Sequence, residues 1–297
     1  MAWRGLHISK PSRLSLADGQ IAVAQDDGEV RLPLEDIAWI ILDTPQATLT
    51  STLLSACMAA GIAVVVTDQK HTPSGVTLPF HSHFRQGEVA QLQIAAGAPL
   101  KKRIWQAVVR AKIANQADAL DAVKRPGAAS LREIARHVGS GDPDNVEARA
   151  AREYWSRLWD NFRREDDGDR RNKLLNYGYA IIRSGVARSL VAAGLLPCIG
   201  VNHASVSNAF NLADDLVEPF RPFVDLMAWK RTDGGKPSRD DLSLDDRRFM
   251  AGVLLRDSVI AGDRVTLLVA AEHATESLVR AVEYVLPNAL ELPSMPA

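Results

Sequence analysis

The chain has 297 residues, 46% of them hydrophobic and 24% charged, with 19 Gly and 15 Pro. That composition excludes a disordered chain, and the length calls for two domains or one large one. No stretch approaches the ~18 uninterrupted apolar residues of a membrane span. The alternating residues 1–7 lack a signal-peptide core, so a cytoplasmic protein without membrane contact is expected.

The net charge of −1 conceals a division along the chain. Residues 1–90 carry 6 Lys/Arg against 9 Asp/Glu, residues 91–200 carry 19 against 12, and residues 201–297 carry 10 against 15. A basic middle between acidic flanks is the pattern of a polyanion surface to which carboxylates come from another segment. Solvated helix faces are the plainer alternative. Cys57 and Cys198, 141 residues apart in apolar surroundings, make neither a disulfide framework nor a four-thiolate zinc site and read as core residues.

The first 80 residues read mainly as short strands. Residues 3–8, 13–16 and 21–23 alternate; Asp18-Gly19 separates two of these runs and Asp27-Gly28 separates residues 21–25 from 29–34. Asp-Gly between alternating runs is a hairpin signal, since both central residues of a type I′ turn need positive φ. Residues 38–42 form a more buried strand, and residues 51–60 a helix that stops at Gly61, placed for a left-handed cap. Residues 62–67 are another buried strand. Pro73, Gly75, Pro79 and Gly87 punctuate residues 69–87, which read as the linker.

Beyond it the periodicity becomes helical. Residues 100–113 place apolar side chains at 100, 104, 108 and 113, leaving Lys101, Lys102, Arg103, Arg110 and Lys112 for other faces. Further helical segments lie near 116–124, 129–138, 145–161, 173–193, 211–228, 245–257 and 264–285. The expected fold class is α+β: a small N-terminal β-rich domain over residues 1–80 and a larger all-α C-terminal domain over residues 81–297.

Two segments carry candidate chemistry. In the first, Asp144 reads as an N-cap with Glu147 three residues later, a spacing that also describes an ordinary capping box. Glu147, Ala151, Tyr154 and Leu158 follow helical spacing, which sets this carboxylate at the top of an inward stripe, where it needs a cation or donors. The second segment runs from Gly200 to Asp225 and holds His203, Asp214, Asp215, Glu218 and Asp225. One unbroken helix would separate His203 and Glu218 by ~22 Å, so they meet only if the chain turns between them. Ser205, Ser207, Asn208 and Asn211 favour such a turn, and Asn211 reads as an N-cap. A hard divalent ion, Mg²⁺ or Mn²⁺, accepts carboxylates, and Mn²⁺ accepts imidazole too. One His and two Glu leave open positions for a phosphate oxygen and a nucleophile. Helix caps and surface ion pairs account equally for Asp214, Asp215 and Arg221. His71, His81 and His83 stand in loop or linker sequence and rank below His203.

These residues bring a family resemblance with them. The marks are IAVVVTD at 62–68, HSHFRQGEVAQ at 81–91, NVEARAAREYW at 145–155, LNYGYAIIRS at 175–184 and AGLLP at 193–197. The most specific is Asn202-His203 followed by NAFNLADDLVEPFRP at 208–222. Over essentially its whole length the chain resembles the CRISPR-associated endonuclease and integrase of the adaptation machinery, in the short form of type II systems. The resemblance implies a homodimer whose N-terminal β domain serves dimerisation and partner contacts. It implies two such dimers flanking a dimer of a small ferredoxin-like CRISPR partner protein, and insertion of short foreign DNA segments into the repeat array.

It carries the catalytic metal ligands onto Glu147, His203 and Glu218, with Asp214 and Asp215 as supporting neighbours. The chain has Asn-His-Ala-Ser where many relatives place a second histidine or a glycine. For DNA contacts the expectation falls on Lys101, Lys102, Arg103, Arg163, Arg164, Arg170, Arg171 and Lys173, whose binding would be salt-sensitive. A non-catalytic DNA-binding scaffold with a structural acidic cluster is the alternative. A helical hydrolase of small phosphate compounds leaves the basic middle segment without a reason.

Overall fold

The computed structural model describes residues 4–80 and 83–296, and these fall into two compact units, Met1–Phe84 and Arg85–Ala297. The sequence marks at Trp3 and His81 lie outside the described residues.

The first unit holds two four-stranded sheets. One has the order β1 (Arg4–Ile8), β5 (Ile37–Leu42), β7 (Ala63–Thr67) and β8 (Pro73–Thr77). Its first three strands are parallel and β8 runs antiparallel. β5 is a continuous apolar run buried at five of six positions, as a central parallel strand requires. The other sheet has the order β4 (Gly28–Pro33), β3 (Gln20–Gln25), β2 (Ser12–Ala17) and β6 (Ala47–Leu49). Asp18 and Gly19, at φ +51° and +73°, form the first hairpin turn as expected. The second differs: Gln25 pairs with Gly28, so Asp26 and Asp27 are the loop residues and Gly28, at φ +137°, is already in β4. Helix α1 (Ser51–Ala59), capped by the Thr50 hydroxyl, ends before Gly61 at φ +65°. Leu53 and Cys57 on its inner face join Ile8, Leu14, Ile21, Ile40 and Val64 in one apolar core.

The span read as linker is shorter than expected. Residues 73–77 are strand β8, because Pro73 and Gly75 are tolerated on an edge strand that gives up few ladder bonds.

The second unit is mostly helical. Helices α2 (Gln86–Ala95) and α3 (Ala98–Ala122) open it, and the two segments expected near 100–113 and 116–124 are one 25-residue helix started by Pro99 in its first turn. Helices α4 (Ala128–Arg136), α5 (Val146–Leu158) and α6 (Arg170–Ala192) follow. The helix expected over 211–228 is broken into α7 (Asn211–Leu216), a 3-10 turn (Glu218–Phe220) and α8 (Arg221–Arg231). Pro219 and Pro222 cause the break, since neither can donate in a helix interior but each fits a first turn. Helix α9 (Leu244–Ala251), closed by a Ser243/Asp246 capping box, and α10 (Leu267–Glu283) complete the helices. Between them β9 (Asp257–Ile260) and β10 (Asp263–Thr266) form a hairpin where the sequence reading ran helix on both sides. No helix among the described residues is long and apolar enough to cross a membrane. Cys57 is buried as expected, whereas Cys198, on the loop before α7, is exposed.

Candidate functional site

Helix α3 is the floor of the site. Trp105 and Lys112 are seven residues apart and so share a face. Trp105 meets the His203 ring edge-on, centroids 5.9 Å apart. The Lys112 ammonium donates to Glu147 Oε1 at 2.6 Å and is ion-paired with Glu218.

Glu147 stands in the first turn of α5. Asp144 is not its cap. Asn145 takes φ +50°, which turns the chain so that the Asp142 carboxylate accepts the Val146 and Glu147 N–H groups at 2.8 and 3.0 Å. The inward stripe of α5 is Val146, Ala150, Tyr154 and Leu158, which keeps Tyr154 and Leu158 as expected but replaces Glu147 and Ala151 by the residues before them, so Glu147 lies at its edge, partly exposed.

Glu218 occupies the proline-made break between α7 and α8 and is 6% exposed. Burial acts to raise its carboxyl, but Lys112 and Arg221, the latter paired at 2.8 Å, outweigh it and hold Glu218 below its ordinary range. Burial likewise acts to lower the Lys112 ammonium, and Glu218 and Glu147 raise it above its usual value.

His203 is held from below. Its Nδ1–H donates to Asp215 Oδ1 at 2.7 Å, and the same buried carboxylate accepts the backbone N–H groups of Val201, Asn202 and His203. That hydrogen bond raises the imidazole above its ordinary value against the effect of partial burial. The loop closes tightly enough to require Gly200, where a Cβ would lie 2.2 Å from the His203 carbonyl oxygen. Asn211 is not an N-cap: its amide accepts from Ser205 N–H and donates to the Cys198 and Ser205 carbonyls, which pins the same loop. Asp214 goes elsewhere, to a two-point pair with Arg183 and a bond from Asn208.

The structure therefore brings Glu147 and Glu218 together on one positive centre and sets His203 on Asp215. Among the described residues no group of three or more His, Cys, Asp or Glu side chains is arranged to hold a metal ion, and the expected three-ligand cluster is not formed. Its place between the two carboxylates is taken by Lys112, as two close carboxylates need a counter-charge. The donor set still suits a divalent ion in kind: two carboxylates directed at one cation, and an imidazole whose Nδ1 is committed to a carboxylate, leaving Nε2.

A second buried group adjoins it. Tyr154 donates to Asp225 at 3.0 Å and Tyr179 donates to its other oxygen. Burial pushes the Asp225 carboxyl up to about 7 despite those bonds. A cavity of about 130 Å³ lies here, lined by Lys112, Gln116, Arg164, Tyr179, Arg221 and Asp225 among others.

The cations expected on DNA separate into two sets. Lys102, Arg103 and Arg163 are exposed and Lys101 partly so, with no ion pair to a described carboxylate; Arg164 reaches Asn172 and Asn176. Arg171 does not belong with them: it is 1% exposed, locked by Asp169 and by the carbonyls of Asp160, Asn161 and Gly235. Arg170 is drawn into Asp246 at 2.7 Å and Lys173 into Asp241 at 2.7 Å. Sequence reasoning gave Lys112 to an outer helix face, named Tyr154 and Asp225 without joining them to each other or to Tyr179, and did not single out Gln116. The available signal was that Lys112 falls four residues after Val108 and seven after Trp105, a charge on a packed stripe.

The sequence matches the model of the family "CRISPR associated protein Cas1" over residues 6–260. It is 41% identical over 227 residues to the CRISPR-associated endonuclease Cas1 of Neisseria meningitidis serogroup C (strain 8013), covering 76% of this chain and 75% of the relative. The fold is similar to that of a casposase bound to integration product, with TM-score 0.75, 19% identity and 96% and 91% of the two chains covered. It is also similar to a chain of a Cas6-RT-Cas1–Cas2 complex, with TM-score 0.73, 18% identity, 97% of this chain and 36% of that one. The chain belongs to the Cas1 family.

Proposed function

We propose that this Cas1-family chain is a divalent-metal-dependent DNA endonuclease and integrase that inserts short foreign DNA segments into a CRISPR array. The reaction is attack of DNA 3′-hydroxyls on phosphodiesters, with water as nucleophile in the hydrolytic mode. The observation that carries the reading is the convergence of Glu147 and Glu218 on a single cation position. Glu147, Glu218 and His203 would hold Mg²⁺ or Mn²⁺, which when bound activates a hydroxyl and neutralises charge on the attacked phosphate.

The remaining work falls to the chain's own groups. Asp215 engages Nδ1 and so fixes the imidazole ring with Nε2 left for a ligand, the usual support for a ligating histidine. Arg221 holds Glu218 in place and, with Arg164, supplies positive charge beside the site. Lys101, Lys102, Arg103 and Arg163 are the cations for sequence-independent contacts to the DNA backbone. Recognition of the array would then draw on DNA shape and on partners. The partners proposed are DNA, a second copy of the chain and a small ferredoxin-like CRISPR protein.

The test is strand transfer of a short duplex into a repeat-containing plasmid. Glu147→Gln and His203→Ala should each lower Mn²⁺-dependent transfer at least 10³-fold with melting temperature within a few degrees of the parent. Full activity in either variant would refute the assignment. The Lys112 ion pairs favour a second reading, a DNA-binding scaffold whose acidic cluster is structural. A scaffold binds DNA equally well in chelator and gives no Mn²⁺-dependent nicking.

A further inference from the structure

Lys112 sits where a cation ligated by Glu147 and Glu218 would have to sit, 2.6 Å from Glu147 Oε1 and ion-paired with Glu218 Oε2. An ammonium and a divalent ion cannot share those oxygens, because both need direct contact with the same lone pairs and like charges repel at that range. One of them has to leave.

The surroundings of Lys112 contain a second seat. The cavity of about 130 Å³ opens beside it. Gln116, four residues further along α3 and so on the same face, lines that cavity. It is 2% exposed, and its Oε1 has no hydrogen-bond partner. Buried side-chain oxygens are nearly always paired, so an unpaired one beside a cavity is an acceptor short of a donor. The Asp225 carboxylate on the cavity wall adds a second acceptor. A lysine has the reach and the three donors to use either seat.

We propose that Lys112 is a resident counter-ion with two seats: it bridges Glu147 and Glu218 when no divalent cation is present, and moves to Gln116 in the cavity when a divalent cation takes the carboxylates. The proposal rests on the reading of Glu147 and Glu218 as cation ligands. In the first seat the ammonium keeps two close carboxylates assembled. In the second it joins Arg164 and Arg221, so cation entry increases the positive charge facing an incoming phosphate.

The experiment is Mn²⁺ titration of the full-length, metal-stripped protein without DNA, read by calorimetry and by the paramagnetic resonance of free Mn²⁺. Lys112→Met removes the competing ammonium and should bind Mn²⁺ at least tenfold more tightly than the parent. Gln116→Leu removes the second seat and should bind three- to tenfold more weakly, with no effect when combined with Lys112→Met. Lys112→Gln repeats the first arm should the methionine variant not fold. A crystal structure of the parent with Mn²⁺ reads the exchange without any variant, and Nζ beside Gln116 Oε1 is the expected position. Unchanged or weaker Mn²⁺ binding by a folded Lys112 variant, with parent binding intact, overturns the counter-ion and leaves the metal reading standing. So does an Nζ still bridging the carboxylates with Mn²⁺ bound. An absence of Mn²⁺ binding in the parent and every variant overturns both.

Discussion

Each unit of the molecule contains a buried aspartate joined to imidazole, and the two pairs have opposite fates. In the helical unit Asp215 takes three backbone N–H groups and one His203 nitrogen, so its charge is satisfied mainly by the main chain. The His203 side chain stays 46% exposed. In the β unit Asp43, its side chain fully buried, accepts from His7 Nε2 at 3.0 Å and from His71 Nδ1 at 2.8 Å. The other His7 nitrogen is buried without a hydrogen-bond partner, and His71 is held at φ +61°. The same two residue types thus build a loop-anchored, half-exposed imidazole in one place and a two-imidazole clamp in the other. What distinguishes them is the number of imidazoles on the carboxylate, two on Asp43 and one on Asp215, and the three main-chain N–H groups that Asp215 also accepts.

A third buried aspartate sharpens the contrast most strongly, because Asp225 has only tyrosine hydroxyls as direct partners and titrates at about 7. Its folded pKa lies above the unfolded value, so its contribution to stability is full below about pH 4 and is lost as pH rises through about 7. The whole effect is on the order of 4 kcal/mol. Asp225→Asn should flatten the melting temperature against pH between 4 and 7; a curve of unchanged slope would mean that Asp225 is ionised throughout.

Asp215→Asn comes next, with strand transfer and Mn²⁺ affinity falling about 10- to 100-fold, the usual consequence of losing the carboxylate behind a ligating histidine. Equal activity would reduce Asp215 to a loop staple and erase the distinction between the two pairs. The smallest effect is expected at Asp43→Asn. Denaturant unfolding should show a loss of roughly 1–3 kcal/mol from the mispaired imidazoles, with transfer by the folded protein at the parent rate. Loss of transfer without loss of fold would break the comparison from the other side, making the β-unit pair functional.

Much of the fold was legible because its signals are local. Asp18-Gly19 can sit only in a turn that accepts two positive φ values, Gly61 marks a left-handed helix end, and the apolar run 38–42 has nowhere to go but the middle of a sheet. The breaks at Pro219 and Pro222 follow from a missing N–H and need no knowledge of the rest of the chain. The candidate site was legible as a list of side chains, of which the structure pairs Glu147 and Glu218 with Lys112 and His203 with Asp215.

The amino-acid order by itself determined periodicity, turns and residue types, since each is decided within a few residues along the backbone. Pairing across the unit was left to tertiary structure. Only packing decided that Lys112 fills the gap between two carboxylates, that Asp142 and not Asp144 caps α5, and that Arg171 is buried while Lys102 is free for solvent. A charge buried on folding must find its counter-charge wherever the chain brings one, and that distance in space is not written in the distance along the sequence.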